Sequence, residues 1–365
     1  MADKYKVRET HPDFRLNKRH FTNAELHLVA YGFIKEGEAF EEKVGSFLLE
    51  WIKPSKYVEV KTSGSTGTPK VIRIKKEHMI NSAIATSRFF DLPEKTTALL
   101  CLPATYIAGK MMLVRAMVLG WQLDMVPPSS NPLDQVFKRY DFCAMTPFQL
   151  DNSVGRLHLI KKLIVGGGAV SPRLQKMVKE VSTKVYETYG MTETVTHIAA
   201  KRLNPSKNKK KSRVFKVLPN INISQDDRGC LVIKAPKLSD EIITTNDVVE
   251  ILTYKKFQWK GRLDNVINSG GIKLHPEQIE KKLSKIIDQR LFVIGMPDDA
   301  LGEKLVLFVE NEFSEDFLQK LEKEINQLKS LEKYERPKKI YFIEKFEETH
   351  TGKIHRENTF TSKVN

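Results

Sequence analysis

Residues Thr62-Ser63-Gly64-Ser65-Thr66-Gly67-Thr68-Pro69-Lys70 have the composition of a polyphosphate loop. Gly64 and Gly67 carry no Cβ, so the backbone can approach an anion closely and take positive φ. Successive N–H groups in such a turn form a concave nest, to which Ser63, Ser65, Thr66 and Thr68 add hydroxyl donors. The string is not a Walker A loop, which needs glycine just before its lysine and Ser or Thr just after. Here Pro69 precedes Lys70 and Val71 follows it. Proline pushes Thr68 toward extended backbone, and Val71, Ile72 and Ile74 have strand alternation. The loop is therefore expected to join two strands, with no helix N-terminus on the phosphate. A Ser/Gly surface turn fits the same composition.

Four other segments carry residue types that could act together. Val165-Gly166-Gly167-Gly168-Ala169 follows an apolar run and precedes Pro172, so a flat ring or a phosphate could come close; a tight strand-to-helix turn explains it equally well. In Tyr186-Glu187-Thr188-Tyr189-Gly190-Met191-Thr192-Glu193-Thr194, Tyr189 could stack on a base. Thr192 and Glu193 could hold a phosphate oxygen and a magnesium ion. Singly, Tyr189 also suits a core and Glu193 a solvated surface. Asp247, in Thr245-Asn246-Asp247, could accept from two ribose hydroxyls, and Arg262, 15 residues later in Gly261-Arg262-Leu263-Asp264, could add a nucleotide contact. A surface salt bridge is the alternative. Lys353 sits in His350-Thr351-Gly352-Lys353-Ile354-His355-Arg356, either as a solvated lysine of a basic tail or as the tip of a directed loop.

These segments need elements to hold them. Strands are expected at 57–61, 71–75, 97–103, 121–126, 142–146, 162–165 and 184–188, with helices at 77–90, 109–119, 132–139 and 172–182. That alternation specifies an α/β unit with a largely parallel sheet covered by helices. Ligands of such sheets sit beyond the carboxyl ends of the strands, where Pro103 to Gly109, Gly166 to Gly168 and Tyr189-Gly190 fall. From 214 to 260 short β runs take over (Asn220 to Ser224, Leu231 to Lys234, Val248 to Thr253). Past the polar break at 261–264 come a helix near Pro276, a strand pair (291–295 and 304–310), a Lys/Glu-rich helix (314–328) and a last strand (339–343). The expected division is 1–261 and 262–365, the second part a small α+β unit of about 100 residues.

With 365 residues and 41% hydrophobic content, the chain has the profile of a two-domain globular enzyme. No apolar run approaches the roughly 20 residues of a membrane span, and Met1 to Arg19 has no apolar segment of a secretory signal. Cys101, Cys143 and Cys230 lack metal spacing and suit a reducing cytoplasm. The net charge of +15 admits nucleic acid or an anionic membrane as a partner. The densest basic run, Lys207 to Arg213, has no interleaved aromatics and suits a solvated loop, so a basic enzyme of polyanionic substrates is favoured and nucleic acid is not expected.

In order and spacing, SGSTGTPK, VGGGAVSP, YETYGMTE, TND…GRLDNVINSGGIKLHPEQIE and TGKIHR resemble the motifs of the adenylate-forming enzymes: acyl-CoA synthetases, luciferases and peptide-synthetase adenylation domains. The resemblance spans about residues 57 to 356. It implies a large N-terminal domain of layered α/β sheets plus a small β subdomain, and a small mobile α+β C-terminal domain. It also implies two half-reactions of an AMP-forming acid–thiol ligase: a carboxylate attacks the α-phosphate of ATP, and the acyl-adenylate is captured by coenzyme A. By position, Ser63 to Lys70 would wrap the β and γ phosphates, with Thr62 beside them among the nucleotide-binding residues. Gly166, Gly167, Gly168, Ala169 and Tyr189, with Gly190 and Met191, would line the nucleotide. Thr192 would hold the α-phosphate, Glu193 the Mg2+ ion, Asp247 the ribose, and Arg262 the nucleotide. Lys353 would bridge carboxylate and α-phosphate, Asp264 would be the hinge, and Gly270, Gly271 and Lys273 would pass the CoA arm.

Pro103-Ala104-Thr105-Tyr106-Ile107-Ala108-Gly109-Lys110 with Arg115 is similar to the acyl-pocket motif of o-succinylbenzoate–CoA ligases of menaquinone biosynthesis. Arg115 stands where that motif has an arginine able to pair with a second carboxylate; a helix-surface arginine is the alternative. Tyr106 stands where the motif has histidine. Thr196 and His197, in Thr194-Val195-Thr196-His197, also match that subgroup. The phosphate loop begins early, which gives the expectation of a shortened N-terminal part. Alternatives are a ligase for another aryl or fatty acid, or a non-catalytic nucleotide-binding module of the same fold.

Overall fold

The computed structural model describes residues 10–61, 71–204, 214–348 and 354–364. Alternation of short apolar runs with helical stretches produces the expected elements over most of the chain. The first are β1 (Arg15–Leu16), α1 (Asn23–Glu36), α2 (Ala39–Ile52), β2 (Tyr57–Lys61), β3 (Val71–Lys75), α3 (Lys76–Phe90) and β4 (Thr97–Leu100). There follow α4 (Ile107–Leu119), β5 (Gln122–Met125), β6 (Tyr140–Met145), α5 (Pro147–Ser153), β7 (Ile160–Val165), α6 (Pro172–Met177) and β8 (Lys184–Gly190). Then come β9 (His197–Arg202), β10 (Phe215–Val217), β11 (Asn222–Gln225), β12 (Cys230–Lys234), β13 (Ile243–Thr253) and β14 (Lys256–Arg262).

Among the described residues, twelve strands form one sheet in the order β1-β5-β4-β6-β7-β8-β9-β10-β14-β13-β12-β11. The run from β1 to β8 is parallel and the run from β8 to β11 is antiparallel. β2 and β3 form a separate antiparallel pair, with Lys61 opposite Val71. The strands flanking 62–70 are thus hydrogen-bonded neighbours, although Thr62 to Lys70 themselves lie outside the described residues. One core packs α1 to α4 onto the sheet around Phe47, Met111, Met112 and Trp121; a second, around Leu133, Leu150, Leu157 and Leu163, fills in near β6 and β7. Every residue of α4 from Gly109 to Leu119 is buried, the charged Lys110 and Arg115 included, in a helix otherwise apolar on all sides.

A second sheet holds the remaining strands, β15 (Ile267–Ser269), β16 (Ile272–Leu274), β17 (Leu291–Asp298), β18 (Gly302–Glu310) and β19 (Lys339–Ile343). Helices α7 (Pro276–Leu283), α8 (Glu315–Gln327) and α9 (Arg356–Val364) accompany it. Its core groups Ile279, Leu283, Val293, Leu307, Leu321 and Ile325. The two sheets meet at the turn Leu263–Asn265, where Gln278 of α7 donates to the carbonyls of Trp259 (3.4 Å) and Lys260 (2.6 Å) on β14.

Three expectations change. The helix at 132–139 does not form: Asp134 and Val136 make only three-residue-back turns to Asn131 and Leu133, and β6 already begins at Tyr140. The helix at 172–182 stops at Met177 and tightens into a single turn, Val178–Glu180, before β8. The N-terminal region forms two helices that the strand pattern did not announce. Their signal is a capping box, Thr22 with Glu25, where the Glu25 carboxylate accepts from the Thr22 N–H at 2.8 Å. Lys76, fully buried, then ties α2 to α3 by donating to the carbonyls of Trp51 (2.6 Å) and Lys53 (2.8 Å).

Candidate active site

The parallel strands direct the segments after β4, β6, β7 and β8 to one edge of the sheet. The Gly166 N–H donates to the Met145 carbonyl at 3.1 Å, joining the turn after β7 to the end of β6. A Cβ on Gly166 would meet Thr188 Oγ1 at 2.6 Å, so this turn packs against β8 only as glycine. Gly167 has φ +81° with nothing within 4 Å of where a Cβ would lie, which leaves open space above the turn. Gly168 is half-buried and Ala169 exposed beside that space.

Tyr189 follows on β8. Its ring meets Phe215 and Phe257 edge-on, with centroids 5.9 and 5.3 Å away. Its hydroxyl donates to Asp247 Oδ2 at 2.6 Å. Burial, and then the Asp247 charge, push the phenol pKa well above its ordinary value, so Tyr189 keeps its proton as donor. Asp247 is only 8% exposed, and its other oxygen, Oδ1, accepts from Trp259 Nε1 at 3.0 Å. Asp247 on β13 lies directly opposite Arg262 on β14. Arg262 Nη2 donates to Asp264 Oδ2 at 2.6 Å, and Asp264 Oδ1 accepts from Asn246 Nδ2 at 3.1 Å. Two hydrogen-bonded groups, Tyr189–Asp247 and Arg262–Asp264–Asn246, thus lie side by side, brought together by the pairing of Asp247 with Arg262 across β13 and β14. Trp259, bonded to Asp247, is not among the residues expected from the sequence, because only the β13–β14 register reveals it.

After Gly190 and half-buried Met191, the turn Thr192–Thr194 leaves Glu193 exposed and Thr192 half-buried. Thr194 closes the turn: its Oγ1 accepts from the Met191 N–H at 3.0 Å. The exposed carboxylate beside a threonine hydroxyl is a hard-oxygen donor set of the kind that suits Mg2+.

Arg115 lies in the middle of α4, only 2% exposed. Its Nη2 reaches Thr196 Oγ1 at 3.4 Å, its Nη1 reaches Met112 Sδ at 3.7 Å, and its buried Nε has no hydrogen-bond partner among the described residues. No carboxylate faces it among them. Burial lowers its pKa from 12.5 to about 9, so the guanidinium remains charged at neutral pH. His197, also buried, is driven down to about 3 by burial and by the Arg115 charge, which keeps it neutral. His197 Nε2 lies 3.4 Å from Thr86 Oγ1, and Thr196 Oγ1 lies 2.9 Å from Ser82 Oγ. Ser82 and Thr86 were not anticipated; four residues apart, they put two hydroxyls on one face of α3. The surface alternative for Arg115 is excluded by its burial.

Tyr106 is half-buried and stands just before α4. Gly109 is needed for packing: a Cβ there would stand 2.3 Å from the Pro103 carbonyl oxygen, so only glycine lets the first turn of α4 close on the 103–104 backbone. Gly270 and Gly271, at φ +59° and +79°, turn β15 into β16, and Lys273 is exposed on β16. The described hydrogen bonds of this hairpin stay within the smaller sheet; the Gly270 N–H, for example, donates to Leu301 O at 2.8 Å. Lys353, like Thr62 to Lys70, lies outside the described residues. Among the described residues, no helix is long and apolar enough to cross a membrane.

Comparison with known proteins adds the following. The AMP-binding enzyme profile matches residues 60–235, and that of the AMP-binding enzyme C-terminal domain matches residues 289–353. The chain is similar to the 2-succinylbenzoate–CoA ligase of Enterococcus faecalis, 25% identical over 333 residues that span 82% of this chain and 68% of that one. It is 37% identical to an acyl-CoA synthetase (AMP-forming)/AMP-acid ligase II-like protein from Dyadobacter fermentans of known structure; the alignment covers 89% of this chain and 95% of that one with a TM-score of 0.59. The fold matches that of o-succinylbenzoate CoA synthetase from Bacillus subtilis, solved with its acyl-adenylate intermediate, at a TM-score of 0.74 over 94% of both chains and 16% identity.

Proposed function

The chain belongs to the AMP-binding enzyme family, and from that premise we propose that it is an AMP-forming acid–CoA ligase acting on an aromatic dicarboxylate of the o-succinylbenzoate kind. The observation that carries the substrate class is Arg115. A buried guanidinium without a carboxylate is costly, and a pocket for an aliphatic chain would gain nothing from it. An acid with a second carboxylate supplies the missing partner, and the bidentate pair would fix its orientation. The name of the Enterococcus faecalis relative supports the same acid, and with it a place in menaquinone biosynthesis.

In this reading the acid's reacting carboxylate attacks the α-phosphorus of ATP, pyrophosphate leaves, and the thiol of coenzyme A then displaces AMP. Ser63 to Lys70 hold the departing pyrophosphate. Gly166 to Ala169 and Tyr189 flank the adenine, Asp247 and Arg262 hold the nucleoside, and Thr192 contacts the α-phosphate. Lys353 meets the carboxylate and the α-phosphate; a fixed cation stabilises developing charge most in a dry site. Glu193 would hold Mg2+, which when bound neutralises charge on the phosphate oxygens.

Residues 1–261 and 262–365 act as two domains, the second turning about Asp264 between half-reactions. That turn would exchange the Asp264 bonds to Arg262 and Asn246 and bring Gly270, Gly271 and Lys273 to the CoA arm. Three free thiols and the absence of a spanning helix among the described residues support a cytoplasmic setting. The test is ATP–pyrophosphate exchange on a panel of acids. Exchange with o-succinylbenzoate and not with benzoate, cinnamate or fatty acids is expected; the opposite pattern overturns the substrate class.

A further inference from the structure

Asp247 is gripped from two strands, by the Tyr189 hydroxyl from β8 and by the Trp259 indole N–H from β14. The second contact depends on an irregularity. Val248 pairs with Gly261, but Val249 pairs with Trp259, so Lys260 is an extra residue on β14. In a regular ladder the residues opposite Asp247 and Val249 would be Arg262 and Lys260, and Trp259 would point to the other face. The bulge turns Trp259 onto the face of Asp247. Gln278 holds the bulge from behind by donating to the carbonyls of Trp259 and Lys260.

We propose that Trp259 is a positioning residue of the nucleotide site, presenting Asp247 to the ribose diol of an adenosine nucleotide. The inference rests on the assignment of Tyr189 and Asp247 to the nucleoside. An ionised carboxylate offers about four lone-pair directions. Tyr189 and Trp259 occupy one on each oxygen, and the two that remain match the two O–H donors of a vicinal diol. The terminal torsion of an aspartate is broad; two donors from different strands fix it before the ligand arrives.

The test is the affinity of the full chain for AMP and for 2′,3′-dideoxy-AMP, by titration calorimetry, in the parent and in Trp259→Phe. The variant keeps an aromatic ring and loses the N–H. AMP binding is expected to weaken about tenfold, the scale of one hydrogen bond to a charged group. Dideoxy-AMP binding should change less than twofold, so that discrimination between the two collapses. In the 15N-labelled parent, AMP should shift one indole N–H resonance and dideoxy-AMP should shift it far less; this readout needs no variant to fold. Equal weakening of both nucleotides, unchanged AMP affinity, or no indole shift on saturation would each overturn the role of Trp259. A parent chain that binds no AMP would overturn the nucleoside site itself, and this inference with it.

Discussion

Replacing Arg115 with methionine should make the protein more stable and its substrate recognition worse. The fall of the guanidinium pKa from 12.5 to about 9 corresponds to roughly 5 kcal/mol of unfavourable burial, at 1.36 kcal/mol per tenfold. Against this, Arg115 gains one long contact to Thr196 and one to a sulfur, together about 1 kcal/mol. Methionine fills a similar volume at a cost of about 1 kcal/mol. The net expectation is a gain of about 1 to 4 kcal/mol, in the range found when buried charges are exchanged for apolar groups. The sign with pH follows from the depressed pKa. The penalty is fully present below the folded pKa near 9 and is relieved as pH rises toward the unfolded value of 12.5. The parent should therefore close the gap by roughly 1 kcal/mol between pH 7 and pH 10, by urea unfolding. Exchange with o-succinylbenzoate should drop on the order of 10² or more, the scale of leaving a charged partner unpaired. A variant less stable than the parent by 1 kcal/mol or more, or one with undiminished exchange, would refute the reasoning.

Other outcomes can be checked with the same assays. Lys353→Ala should abolish adenylation and leave thioester formation from supplied acyl-adenylate within a few-fold; equal loss of both steps would count against the assignment of Lys353. Gly109→Ala pushes a methyl to 2.3 Å from the Pro103 oxygen, so it should destabilise by about 2 kcal/mol or more and displace α4, seen as a lower urea midpoint and a raised KM for the acid. Lys76→Met strands the buried Trp51 carbonyl and removes a half-buried bond to the Lys53 carbonyl, and should cost about 2 kcal/mol in urea unfolding, with KM for ATP unchanged.

The order of the motifs made the parallel half of the sheet and its ligand edge legible, because glycines and proline mark the turns after β7 and before α6. The polar cluster was legible in part. Tyr189, Asp247, Arg262 and Asp264 were found by type and spacing, but Trp259 joins them only through a bulge, and the register of an antiparallel pair is a tertiary fact. Arg115 shows the reverse case. Its helix is apolar apart from Lys110 and Arg115 itself, which already favoured burial, yet an arginine in a helix also suits a surface, and only the packing of α3 and the sheet decides. The segment at 132–139 has helical residues, but it closes into three-residue-back turns instead, and its sequence does not explain that choice. The first two helices are absent from the strand-and-helix pattern read off the sequence, although Thr22 with Glu25 already carries the start signal of α1.

The central claim is tested most directly by quantifying the products of ATP, Mg2+, coenzyme A and o-succinylbenzoate by liquid chromatography and mass spectrometry. The account predicts AMP and the succinylbenzoyl-CoA thioester in equal amounts, with the acyl-adenylate accumulating when coenzyme A is withheld. ADP in place of AMP, or thioester formed only from fatty or monocarboxylic aromatic acids, would contradict it.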